Sequence, residues 1–501
     1  MIIPLRLQKV DTNSTIESSC VPPKIVVCCE QRGPVQNHLS GSHFSEWLQA
    51  GGVDASGQFG KERAENLPVL VFLHGGNNQT GNTQELIGSE LAVRDDCVFV
   101  TLNYRLGIFG FNCLPALQTE DGSTGNYAML DVAKALDWVK DNITVFGGDP
   151  DNITISGFSA GGRDVMAMLV SPLFTGKFQK AIAFSGGMTI ADVDESISAV
   201  AAAVAPLAVE DGMAEDEESA RAWLMTDGAD VKDWLYSVSS DRLCVLMGNA
   251  GIRMSVFPHL YNDGVVFPKE GFATGDYNSV PLIMLTGSTE FSFFDYGDAF
   301  WDTDEAAVLD ETELQAAKDF ANTYGSDMYR IFNAECSAET MFAHYDADIY
   351  LCQVDYGSAA SDYQIPDYGA FHGIFVPMLS SVNNYSDLYD FSEPGYQSMA
   401  AAFNAYLKSF LATGNPNADG LAEWSSWTPE TPVSMVLDAA NGEGSEECRD
   451  VSTTYADIIA RMEADESVSE EGKALAIANV MNGRWFSDAL DAYYGNPSLW
   501  K

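Results

Sequence analysis

A pentapeptide, Gly157-Phe158-Ser159-Ala160-Gly161, lies between the apolar run Ile153 to Ile155 and a small-residue helix start at Gly161-Gly162. It constrains the fold more than any other feature of the chain. The pattern reads as strand, sharp turn and helix with a serine at the apex, which is how a fold presents a hydroxyl for attack on a carbonyl. A turn this tight pushes its central residue toward a strained backbone and brings strand and helix close together. Positions two before and two after the serine therefore need residues without bulk. A second signal lies upstream, where Val69-Leu70-Val71-Phe72-Leu73 runs straight into His74-Gly75-Gly76. A strand entering such a glycine loop aims backbone N–H groups at a developing oxyanion.

Strand-like runs recur at Val69 to Leu73, Val98 to Leu102, Ile153 to Ile155, Ala181 to Phe184, Leu282 to Leu285 and Ile349 to Val354, with helical patterns between them. This alternation predicts an α/β fold with a mostly parallel central sheet flanked by helices. Between the second and third runs, Asn126 is placed to cap a helix whose Met129, Val132, Leu136 and Val139 share a face, with Phe146-Gly147-Gly148-Asp149-Pro150 as its stop. Two helical stretches break the rhythm, at about 191–249 and 301–340, and are expected as cap insertions over the crevice at the strand ends. The expected organisation is a divergent segment at 1–66, with possible edge strands, and one catalytic domain at 67–501 that carries both insertions. From Asn441 the chain is acidic and glycine-rich, and a run from Lys473 to Tyr493 then reads as an amphipathic packing helix.

Charge and cysteine narrow the function classes. With 72 acidic against 26 basic residues the formal net charge is −46, a field that repels phosphate backbones and anionic lipid, so neither nucleic acid nor membrane is an expected partner. The bland reading of this acidity is solubility or habitat; the sharper one is a bias against anionic substrates. The nine cysteines show no regular spacing, which argues against a disulfide framework, and Cys97 and Cys352 read as buried free thiols. Met1-Ile2-Ile3-Pro4-Leu5-Arg6 lacks the pattern of a signal peptide. A cytoplasmic location is expected on that reading, or secretion if the true start lies further upstream. Oligomeric state is not legible.

A serine hydroxyl attacks well only when a base takes its proton, and that base is usually a histidine oriented by a carboxylate. Of six histidines, His38 and His43 lie in the atypical N-terminal segment, His74 belongs to the glycine loop, His259 precedes an apolar loop and His344 falls in a helical insertion. His372, in Tyr368-Gly369-Ala370-Phe371-His372-Gly373 just after the last strand-like run, is the candidate base at the sheet's C-terminal edge. No metal site is expected, since His38 and His43 are the only closely spaced histidine pair and no paired C-x-x-C exists. Gly147-Gly148 does not open a helix after a strand, so no dinucleotide cradle is expected either. The reading calls for no cofactor.

In the stretches Leu67 to Gly76, Asn103 to Gly107, Gly125-Asn126, Phe146 to Pro150, Ile153 to Gly162, Phe184 to Gly186, Gly369 to Gly373 and Thr413 to Asn417, the chain resembles the type-B carboxylesterase and cholinesterase family of α/β-hydrolases. The resemblance spans roughly Leu67 to Asp438. It implies the α/β-hydrolase fold, ester hydrolysis through an acyl-serine intermediate, and a triad in the order serine, acid, histidine. Carried over by position, Ser159 is similar to the nucleophile and His372 to the base that later protonates the leaving alkoxide. Glu290 takes the place of the acid, with Asp295 as the next carboxylate that could swing into reach. The oxyanion donors fall on Gly76, Asn77 and Ala160, and Asn77 stands where a third glycine is common. Phe158 replaces the glutamate of cholinesterases, which argues against choline esters and suits an apolar acyl or alcohol group as a substrate-binding residue. The family's N-terminal signatures have no clear counterpart before Leu67. The expected partner is a small, uncharged, fairly apolar ester. A non-catalytic binding or adhesion protein on the same fold, and an amidase or lactonase with the same triad, are the competing readings.

Overall fold

Every second residue of the strand-like runs enters one apolar layer and its neighbours enter another, as strands buried on both faces require. A computed structural model describes residues 25–28, 65–118, 125–246 and 257–501. Its strands are β1 (Ile25–Cys28), β2 (Leu67–Leu73), β3 (Val98–Leu102), β4 (Gly148–Phe158), β5 (Lys180–Phe184), β6 (Leu282–Gly287), β7 (Ile349–Val354), β8 (Val433–Ala440) and β9 (Glu443–Asp450). They form one nine-stranded sheet in the order β1-β3-β2-β4-β5-β6-β7-β8-β9. Strands β2 to β8 run parallel, while β1 pairs antiparallel with β3 and β9 antiparallel with β8.

On one face Val69, Val71, Leu73, Ile153, Ile155, Ala181, Ala183, Leu282 and Met284 pack against helix α1 (Tyr127–Asn142) and helix α2 (Ala160–Met168). The anticipated α1 face of Met129, Val132, Leu136 and Val139 is buried there. The first insertion, with helices α3 (Val193–Glu210), α4 (Glu217–Leu224) and α5 (Ala229–Ser237), joins this same core through Val200, Val204, Ala208 and Trp234. The second insertion supplies α6 (Glu311–Asn333) and α7 (Glu335–Phe342). Leu70, Phe72, Phe158, Ile182, Phe184 and Leu285 face the other way onto α8 (Pro394–Thr413), through Tyr396, Met399, Phe403, Leu407 and Phe410. A third cluster joins Phe320, Met328 and Ile331 of α6 to Ile458 and Met462 of α9 (Tyr455–Ala464) and to Val480, Met481, Trp485 and Leu490.

Several local expectations change. Asn126 occupies the position before α1 without capping it; its side chain instead donates to Tyr261 O (2.9 Å) and accepts from Tyr261 N–H (2.8 Å), fastening a distant loop. The run Lys473 to Tyr493 is not one helix. It holds the end of Glu470–Leu475, a π turn over Ala476–Met481, a break with Gly483 at φ 76°, and Asp488–Tyr494. The acidic stretch after Asn441 is edge strand β9, joined to β8 through Asn441 (φ 55°) and Gly442 (φ 83°). Two successive positive φ values suit this strand-reversing turn. Strand β7 is therefore not the sheet's last.

The elbow between β4 and α2 is the tightest contact. A Cβ on Gly161 would sit 2.2 Å from Leu73 O, and one on Gly157 would sit 2.2 Å from Gly161 O. Ser159 takes φ 55°, ψ −114°, a conformation L residues rarely adopt. Gly161→Ala is expected to cost about 2 kcal/mol or more of unfolding free energy, because backbone rather than a flexible side chain must yield; an unchanged denaturation midpoint would refute this.

Glu85, Asp295 and Asp164 are buried carboxyls without a cationic hydrogen-bond partner among the described residues. Burial pushes Glu85 up to about 8, Asp295 to about 8 and Asp164 to about 7, against hydrogen bonds that pull the other way. The folded chain keeps protons that the unfolded chain loses near pH 4, so each group's contribution is complete in acid and is lost as pH rises through its folded value. Stability should fall between about pH 5 and pH 8. Glu85→Gln should flatten that slope by up to about 1.4 kcal/mol per pH unit, measured as urea midpoints across the range; an unaltered slope would show Glu85 ionised in the folded protein.

Candidate active site

The parallel strands deliver their C-terminal ends to one edge of the sheet, and the candidate residues leave from there. Ser159 follows β4, the glycine loop follows β2, Glu290 follows β6 and His372 follows β7. Ser159 N–H is held by Phe184 O at 2.9 Å and Ser159 O accepts from Arg163 N–H at 3.0 Å, so the elbow is pinned from both sides. The serine itself is partly exposed.

His372 is 4 % exposed. Its Nδ1 lies 2.9 Å from Glu290 Oε2. Glu290 is completely buried and saturated with donors: Asn333 Nδ2 reaches Oε2 at 3.0 Å, while Thr286 Oγ1 (3.0 Å), Gly287 N–H (2.6 Å) and the Ser185 hydroxyl reach Oε1. Such a shell fixes the carboxylate's orientation. Asp295 makes no hydrogen bond to His372; its Oδ1 accepts from Trp301 Nε1 at 3.1 Å. The imidazole is walled by aromatic rings, with Phe158 at 4.8 Å, Phe294 at 5.0 Å and Tyr329 at 6.0 Å between centroids. Phe158, 1 % exposed, also meets Phe375 at 5.1 Å and Tyr385 at 5.7 Å. His372 Nε2 has no hydrogen-bond partner and is not bonded to Ser159 Oγ.

Facing the elbow, the glycine loop turns through Gly76 (φ 102°), Asn77 (φ 52°) and Asn78 (φ 58°). Asparagine tolerates this region better than other side chains. The loop's peptide groups divide in two. Gly75 N–H is taken up by Glu85 Oε2 at 2.8 Å, whereas among the described residues the N–H groups of Gly76, Asn77 and Ala160 meet no protein acceptor. Unused backbone donors beside a helix start suit negative charge.

Sequence reasoning passed over the residues that hold this loop. Arg163 Nη2 donates to Asn77 Oδ1 at 2.7 Å, and Asn78 Nδ2 donates to Asp164 Oδ1 at 2.8 Å. Consecutive side chains of α2 thus grip consecutive asparagines. Glu85, Ser185 and Asn333 were likewise unmarked. Charged residues at Arg163-Asp164, directly inside a helix otherwise made of small and apolar residues, were the available signal. His74 and His259 are buried and stay neutral near pH 7, lowered by burial to about 4 and about 3. His38 and His43 lie outside the described residues.

A sequence profile of the carboxylesterase family matches residues 54–301. The para-nitrobenzyl esterase of Bacillus subtilis (strain 168) is 29% identical over 397 residues, covering 75% of this chain and 76% of that protein. An acylcarnitine hydrolase of Mus musculus is 30% identical over 394 residues, covering 72% of this chain and 66% of that protein. Among solved structures, a PNB esterase superposes with a TM-score of 0.59 at 26% identity, over 80% of this chain and 82% of that one. Profile, relatives and superposition agree: the chain belongs to the carboxylesterase family of α/β-hydrolases, and it is an ester hydrolase.

Proposed function

We propose that this ester hydrolase works through an acyl-serine intermediate, with Ser159 as nucleophile, His372 as base and Glu290 as the acid that orients it. The observation carrying the reading is the 2.9 Å contact between His372 Nδ1 and a donor-saturated Glu290, beside a strained, partly exposed serine. Holding Nδ1 as the donor leaves Nε2 as the imidazole's acceptor. Nε2 takes the Ser159 proton as Oγ attacks the ester carbon; catalytic hydrogen bonds of this kind commonly tighten only with substrate bound. The carbonyl oxygen, now negative, takes the unused N–H groups of Gly76, Asn77 and Ala160. Collapse of the tetrahedral species breaks the C–O bond to the alcohol, which leaves with the proton from His372. Water, deprotonated by the same nitrogen, then releases the carboxylic acid and restores Ser159.

The leaving alcohol has to lie against His372 to receive its proton. Phe158, Phe294 and Tyr329 wall that ring, which supports an uncharged, fairly apolar alcohol group on this side. Phe158 acts there through the imidazole it packs against.

Ser159→Ala is expected to remove turnover of short-chain aryl esters, and labelling by a fluorophosphonate, while the circular dichroism spectrum is kept. Glu290→Gln should lower kcat by about 100-fold or more and Asp295→Asn by far less. Retained turnover in Ser159→Ala, or the reverse order of the two carboxyl variants, would overturn the assignment.

A further inference from the structure

Three arginines of the described chain have side chains almost wholly withdrawn from water. Arg330 pairs with Glu335 and Arg484 with Asp298. Arg163, 3 % exposed, is different: among the described residues it makes no ion pair, and its Nε has no acceptor. Its partners are the neutral Asn77 Oδ1 at 2.7 Å and the face of Phe486, 4.2 Å from the guanidinium carbon. Asp164, the adjacent carboxyl, gives its Oδ1 to Asn78 and is pushed up to about 7 by burial, so it is an incomplete counter-charge. Burying an unpaired cation costs several kcal/mol. A hydrophobic or neutral side chain would hold α2 against the sheet without that cost.

The same corner holds other unmet donors. Asn77 Nδ2 is buried without an acceptor, and the N–H of the same residue has none among the described residues. Arg163 follows Ser159 by four residues, and its N–H bonds Ser159 O at 3.0 Å. None of the rings that wall His372 is among the direct partners of Arg163. The alcohol occupies the His372 side, so the acyl chain is the part of the ester left to reach this corner.

We propose that Arg163, with Asn77 Nδ2, binds a carboxylate at the far end of the acyl chain, so that the preferred substrates are half-esters of short dicarboxylic acids with an apolar alcohol. This rests on the acyl-serine reading and departs from the expectation of a wholly uncharged ester. A guanidinium and a carboxylate form charge-assisted hydrogen bonds, and burial strengthens them. The chain's net charge of −46 opposes an anion's approach only weakly, because exposed charges are screened beyond about 8 Å at physiological ionic strength. Short acyl spacers, succinyl and glutaryl, are the ones to try, since the Arg163 N–H itself bonds Ser159 O at 3.0 Å.

The test compares 4-nitrophenyl esters of equal chain length, succinyl against butyryl and glutaryl against pentanoyl, on the full chain. Wild type should favour the acidic member by about tenfold or more in kcat/KM. Arg163→Met should reduce that ratio about 100-fold, and Arg163→Lys should restore part of it; the neutral esters meanwhile report whatever the Asn77 contact gives to the oxyanion loop. Hydrolysis of the neutral esters with no preference for the acidic ones overturns this inference alone, as does a ratio that Arg163→Met leaves unchanged. Absence of hydrolysis of every ester overturns the reading beneath it and this inference together. Because the wild-type ratio is decisive by itself, a variant that fails to fold does not blunt the test.

Discussion

The close passage of α2 beneath the end of β2 is the constraint from which the rest of the site follows. Gly157 and Gly161 leave no room for a Cβ, with Leu73 O and Gly161 O at 2.2 Å from where one would stand. That proximity brings the start of α2 and the loop after β2 to a single point. It forces Ser159 into positive φ and leaves the N–H groups of Gly76, Asn77 and Ala160, from two separate segments, without a protein acceptor among the described residues. Backbone strain of this kind costs on the order of 1–3 kcal/mol and persists only where surrounding packing dictates it. Here nine strands and two apolar layers do so.

Buried polar groups then convert this geometry into chemistry. Glu290 is supplied from β6, but two of its donors, Ser185 and Asn333, come from the end of β5 and the end of α6. The second insertion therefore completes the carboxylate's shell as well as walling the imidazole through Tyr329. On the opposite side, Glu85, Arg163 and Asp164 fix Gly75, Asn77 and Asn78. The loop's positive-φ residues are thus held by side chains rather than by a regular ladder, which sets their N–H directions before any substrate arrives.

How much of this was legible in the sequence follows from the range of each interaction. The parallel strands were readable because burial on both faces writes continuous apolar runs, and Ser159 because steric closeness demands small residues at fixed offsets. His372 emerged from its place in the chain order, and its contact with Glu290 rather than Asp295 is a matter of three-dimensional fit. Strand β9 was missed because its exposed, acidic residues carry none of the usual strand signal, although Asn441-Gly442 marked the turn. The break after Met481 was hidden because apolar spacing continues through a π turn and a glycine bend. Partners of buried polar side chains, such as Arg163 with Asn77 across 86 positions, leave no trace in local pattern.

The composition of β9 bears on how the molecule keeps to itself. Among the described residues no strand pairs with its outer side, which leaves a template on which a second chain could extend the sheet. Glu443, Glu446, Glu447 and Asp450 line that strand, so two such edges brought together would set like charges side by side in a narrow, poorly hydrated seam. Repulsion there opposes strand-to-strand aggregation at this hairpin border of the described sheet, and it weakens as salt rises or as acid neutralises the carboxylates.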